Sequence, residues 1–175
     1  MRKTLDWIYR ISGVTAVAFL ILVGLLTVAQ VAARLAGSIV PSADDFATFC
    51  MAGSIFLGLA YTYRVGGHVR VRAVQQRISP SLRRWVEAAC LGTVAAMLGW
   101  LMWYSQDMIR TSMGMNEHTL GLIPVPMWIP MTFMLVGFLV LFVAVVDDLV
   151  AVLLNGKPSY AEAEEKQALT AATAE

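Results

Sequence analysis

Residues 11–33 read ISGVTAVAFLILVGLLTVAQVAA, an unbroken apolar stretch held between Arg10 and Arg34. A bilayer core of about 30 Å is crossed by about 20 residues at 1.5 Å of helical rise each, so this stretch is long enough to span one. Three more stretches meet the same measure. Residues 46–63 follow Asp44 and Asp45 and end at Arg64, residues 84–106 carry one acid, Glu87, in their first turns, and residues 125–146 stop at Asp147 and Asp148. Lipid leaves no backbone group unpaired, and none of the stretches alternates as a barrel strand does, so each is expected to be an α-helix. The expected fold is an all-α membrane protein: one domain over residues 1–154 with four transmembrane helices, then a polar, weakly ordered tail over residues 155–175.

Composition agrees. Of 175 residues, 58% are hydrophobic and 14% charged, against roughly 45–50% and 25% in an average soluble domain. The surface of a water-soluble fold of this size needs more polar residues than that. A net charge of +1 points to no nucleic-acid partner, and none is expected. Cys50 and Cys90 are the only cysteines and both lie in apolar runs, which reads as packing rather than as a disulfide framework or a metal set.

Eleven of the thirteen basic residues fall on one side of the four runs. Arg2, Lys3 and Arg10 precede the first run, Arg64, Arg70, Arg72, Arg77, Arg83 and Arg84 lie between the second and third, and Lys157 and Lys166 follow the fourth. Only Arg34 and Arg110 lie on the other side. The positive-inside rule therefore places both termini and the middle loop in the cytoplasm. Tyr9, Tyr63, Trp85, Tyr104 and Trp128 fall near the ends of the runs, as an interfacial aromatic belt requires. The first run follows a basic start, but it is longer than the 7–15 residues of a cleavable signal core.

Within the middle loop, Val71, Val74, Ile78, Leu82 and Trp85 recur at spacings of three and four among arginines. Residues 69–78 are expected to form an amphipathic interfacial segment in contact with membrane lipids, with an ordinary basic loop as the alternative. Ser79-Pro80 reads as the N-cap and first position of the third helix.

The middles of the four runs hold no Asp, Glu, Lys, Arg or His. Such groups mark ion pathways and proton relays, so a self-sufficient pump or exchanger is disfavoured. Intramembrane haem ligation is disfavoured too, since His68 and His118 lie in loops, and no cysteine pair supports thiol oxidation. No nucleophile or metal set suggests an enzyme, and no cofactor is expected. The remaining polar candidates sit at run ends. Asp44 and Asp45 suit the positive end of a helix as caps, or as partners for Arg34 across a short loop. Glu87 follows Arg83 and Arg84 at ion-pair spacing. Asp147 and Asp148 stand at the unfavourable end of a helix, where an arginine of the middle loop would offset them. Ala88, Gly92 and Ala96, and likewise Ser54 and Gly58, recur every four positions, as close helix packing allows.

Several of these segments, in order, resemble the small membrane subunit (the Q or DctQ type) of tripartite ATP-independent periplasmic transporters. They are Arg34 closing the first helix, then Pro41, Asp44 and Asp45, and Phe56-Leu57-Gly58. Next come Arg64-Val65-Gly66-Gly67-His68-Val69-Arg70-Val71 and Ile78-Ser79-Pro80-Ser81-Leu82-Arg83-Arg84. The last is Leu120-Gly121-Leu122-Ile123-Pro124-Val125-Pro126-Met127-Trp128-Ile129-Pro130. Two positions depart from the family: aspartates stand where glutamate is frequent at the acidic pair, and Arg72 stands where an aspartate is frequent after the histidine segment. The resemblance implies a bacterial inner-membrane importer with three parts. A periplasmic binding protein delivers an organic anion, often a carboxylate; a large multispan subunit moves it with sodium ions; the small subunit is a scaffold without a transport site. It implies contacts or structural roles for Arg34, Asp44, Asp45, Gly58, His68, Arg70, Pro124 and Trp128. The competing reading is a self-associating small channel or exporter, with Ala88, Gly92 and Ala96 as its seam.

Overall fold

The computed structural model describes residues 2–65 and 80–154, with side chains for 7–65 and 84–154. The expected interfacial segment and the tail lie outside these residues. Four helices account for nearly everything described: α1 (Arg2–Leu35), α2 (Ala43–Arg64), α3 (Pro80–Met115) and α4 (Trp128–Leu153). Each is long and apolar enough to cross a membrane.

The helices overrun the apolar stretches that announce them, because burial in lipid and helix termination have different causes. α3 starts at Pro80, as the Ser-Pro signal requires, but continues past Gln106 to Met115. Its 36 residues measure about 54 Å at 1.5 Å each, well beyond a hydrocarbon core of about 30 Å. What stops it is backbone geometry. Asn116 adopts a left-handed φ of 55°, and the Glu117 and Asn116 amides donate to the carbonyls of Ser112 and Met113, the two bonds of a Schellman cap. α1 ends identically at Gly37, φ 73°, with Ser38 and Gly37 donating to Ala33 and Arg34.

α4 starts three residues later than the apolar run, because the chain is still tied to residues 117–119 at Val125 and Pro126 and reaches helical backbone only at Met127, φ −67° and ψ −22°. His118 pairs with Pro126 in an antiparallel bridge, Thr119 N–H donates to the Val125 carbonyl at 2.9 Å, and Met127 N–H to the Glu117 carbonyl at 3.0 Å. Pro124 and Pro126 favour extended backbone for the residues before them. At its other end α4 runs on to Leu153, so Asp147 and Asp148 lie inside the helix rather than at its end.

Among the described residues, α1 packs on α2, α2 on α4 and α4 on α3, with only a slight contact between α1 and α4. The helices form an open row in the order α1, α2, α4, α3. A closed bundle would bury one stripe of each helix. A row leaves both broad faces uncovered, and Val17, Leu25, Met97 and Trp103 are all exposed. The buried cluster that holds the row together runs from Tyr9 through Ala60 and Tyr63 to Leu91, Ala95, Leu98, Leu141, Ala144 and Val145. Two edge-to-face aromatic pairs add to it: Phe19 with Phe133 at 5.2 Å and Phe56 with Phe138 at 5.1 Å.

The close helix approaches occur at other small residues than those singled out by their four-residue spacing. A Cβ on Gly137 would come within 2.5 Å of the Phe56 carbonyl oxygen, and one on Gly53 or Gly13 within 2.8 Å of the Phe19 or Tyr61 ring. Gly58 has ordinary room, 3.6 Å from Ala16 Cβ. A Cβ on Gly92 would meet nothing within 4 Å and Ala96 is exposed, so among the described residues only Ala88 of that trio packs against the core.

Candidate functional site

The row is fastened at both ends by polar groups. At the end where α2 finishes, Arg64 is the hub. Its guanidinium carbon lies 5.0 Å from the centre of the Tyr9 ring on α1, and Nη1 lies 3.5 Å from Asp147 Oδ2 on α4. The contact with Asp147 is an ion pair at the long limit of a hydrogen bond. With 15% and 30% of the two side chains exposed, water screens it only in part. Tyr9 is buried, and so is Asp148, the next residue to Asp147. One cation thus bridges three helices, and it belongs to the arginines that the sequence sets opposite the Asp147-Asp148 pair.

Two further bonds complete this end. Ser12 Oγ donates to the Leu57 carbonyl at 2.6 Å, joining α1 to α2. Arg84 Nη2 donates to the Leu153 carbonyl at 2.5 Å, joining α3 to α4. The second bond sets a cation on the last turn of α4, where free carbonyls and the helix dipole favour it. No side chain of α4's own last turn is basic.

At the opposite end, residues 117–127 fold back onto the start of α2. Ser42 adopts a left-handed φ of 54° and makes no side-chain cap bond with its own helix. Its hydroxyl instead accepts the Ile123 N–H at 2.8 Å. Gly121 lies against the Asp45 carboxylate and the Ser42 hydroxyl with no space for a Cβ. The loop is braced internally, since Thr119 Oγ1 accepts the Val125 N–H at 3.1 Å. Two segments about 80 residues apart, 41–45 and 120–128, therefore meet.

Among the described residues, Arg34 forms no ion pair with Asp44 or Asp45. Arg34 and Asp44 are exposed, while Asp45 is half-buried under Gly121. Pro124 is exposed in the loop, and Trp128 opens α4 and is itself exposed. Gly58 packs against Ala16 of α1, next to the Ser12–Leu57 bond and with ordinary room. His68 and Arg70 lie outside the described residues. Sequence reasoning overlooked Tyr9, Ser42 and Gly121 as contact-makers. Tyr9 reads as one more interfacial aromatic, and Ser42 carries no signal beside the acidic pair that follows it.

Among the described residues, no three histidine, cysteine or carboxylate side chains meet at metal-binding distance. What the polar groups do is fix helices relative to one another. The model of a protein family described as "Tripartite ATP-independent periplasmic transporters, DctQ component" matches residues 23–155. Comparison with curated proteins found no match. The matched stretch takes in α1 from residue 23 onward, all of the other three helices and the loop that clasps α2.

Proposed function

This chain belongs to the DctQ component family of tripartite ATP-independent periplasmic transporters, and from that premise we propose that it is the non-catalytic small permease subunit of such a transporter. Its task is to scaffold a large sodium-coupled membrane subunit. That subunit imports an organic anion, a carboxylate by class, which a periplasmic binding protein delivers. The chain lies in the bacterial inner membrane with both termini in the cytoplasm, an orientation that the bias of its basic residues supports.

The observation that carries this reading is the open row. Four helices in a row have too little mutual contact to enclose a path, and their middles carry no ionisable group. Ion-coupled transport places such groups, or unwound helix segments, near the bilayer midplane. A row pinned at both ends, by Arg64 and by the Ser42–Ile123 clasp, suits a fixed frame for a larger partner. The uncovered faces supply the area such a partner needs.

Affinity capture of the full chain from membranes in mild detergent tests this. A much larger multispan protein is expected to accompany it in fixed ratio. Recovery of homo-oligomers alone overturns the scaffold and favours a self-associating channel sealed at the open Gly92 and Ala96 face.

A further inference from the structure

On α1, Ser12, Gly13 and Ala16 face α2. Another face, one to two turns long, carries Trp7, Arg10, Ile11, Val14 and Thr15, which line an open groove of about 360 Å³. The groove lies where the helix leaves its apolar run, Arg10 being the residue before Ile11. Three arginines at this end of the row have described side chains: Arg10, Arg64 and Arg84. Arg64 is engaged by Tyr9 and Asp147, and Arg84 by the Leu153 carbonyl. Arg10 makes no ion pair or hydrogen bond among the described residues.

We propose that this groove is a binding site for an anionic phospholipid of the cytoplasmic leaflet. The guanidinium is a planar fork that matches two oxygens of a phosphate, and it binds them most strongly where water is scarce. Trp7 is two-thirds exposed, at the level where an indole ring reaches headgroups while its body stays apolar. Ile11 and Val14 give the wall beneath the cation an apolar surface, and the exposed Val17 and Ile21 continue it toward the midplane. A ligand for this wall joins an anion to a hydrocarbon chain. Free phosphate has only the first, and a zwitterionic lipid brings an ammonium group that competes with Arg10 for its phosphate.

The test uses the full-length chain, extracted in mild detergent with any subunit that accompanies it. It is titrated with phosphatidylglycerol, phosphatidylcholine or inorganic phosphate, and bound lipid is counted by native mass spectrometry. Phosphatidylglycerol is expected to be retained in preference to phosphatidylcholine, and phosphate not to displace it. A single cation's diffuse attraction to an anionic surface is worth about fivefold in affinity. Arg10→Gln should exceed that, weakening retention by more than about tenfold, while Lys3→Gln, which removes the same charge, stays within about fivefold. Val14→Trp fills the groove and leaves the cation in place, and it should weaken retention as Arg10→Gln does. Equal effects of Arg10→Gln and Lys3→Gln, full retention by Val14→Trp, displacement by phosphate, or equal binding of phosphatidylcholine overturns the site. So does cross-linking of a cysteine at position 14 to an accompanying subunit, which makes the groove a protein contact.

Discussion

Arg64 shows how a topology marker and a structural group coincide in one residue. It closes α2, stacks over Tyr9 and pairs with Asp147. Losing both contacts in Arg64→Gln should lower thermal stability by roughly 1–2 kcal/mol, the sum of a partly exposed ion pair and a cation–π contact. Arg64→Asp and Asp147→Arg should each destabilise, and the double reversal should restore part of the loss. Losses that simply add in the double mutant would reduce the pair to a bystander. The pairing was legible in sequence because an unfavourable acidic pair late in one helix calls for a cation from the neighbouring end. Ser42 was not legible in this way. The acidic pair Asp44-Asp45 draws the capping reading, whereas Ser42, two residues before it, has a left-handed backbone and its hydroxyl accepts from an amide 81 residues away. Ser42→Ala leaves the Ile123 N–H without that acceptor and should cost about 1 kcal/mol, read as earlier unfolding in detergent. Arg34 shows the reverse. Charge and loop length suggest a partner in Asp44 or Asp45, but among the described residues Arg34 forms no ion pair with either, and the Asp45 carboxylate lies against Gly121.

For the helices, existence and order could be read from the runs, whereas lengths and packing faces could not. Apolar runs report where lipid is, and helices end where the backbone turns, at Gly37 and Asn116. α3 consequently carries Asp107 and Arg110 on a helical extension past its apolar run. Small-residue spacing was a poor guide to packing because it is blind to which face a neighbour takes. Gly137 and Gly92 separate the two cases. Gly137→Ala sets a methyl group against the backbone of α2 at Phe56 and should destabilise by about 1–3 kcal/mol, as overpacking does. Gly92→Ala meets open space and should leave the isolated chain unchanged or slightly more stable. Melting curves of the two variants in the same detergent decide it; equal losses contradict the packing described here. If Gly92→Ala leaves the chain intact but reduces recovery of the large subunit, that face is a subunit contact.

At the largest scale the described residues form a fence of four helices, and this arrangement was hidden from the sequence. Hydropathy finds spans but says nothing of whether they close into a bundle, since lipid and helix interiors accept the same side chains. The row follows from which pairs touch: α2 and α4 lie at its centre, joined across Gly137, and α1 and α3 form its flanks. Orientation in the membrane can be checked with single cysteines on a background lacking Cys50 and Cys90. A cysteine at Leu120 should react with an impermeant reagent added outside the cell, and one at Leu154 only after the membrane is opened. The opposite pattern contradicts the orientation read from the basic residues. The central claim is that the fence frames a transport path it does not contain. Sodium-driven uptake of a radiolabelled organic anion into proteoliposomes, with its binding protein supplied, tests it most directly. Vesicles holding this chain alone should take up no more than empty ones, and vesicles holding it together with the large subunit should accumulate the anion; uptake by this chain alone would contradict the account.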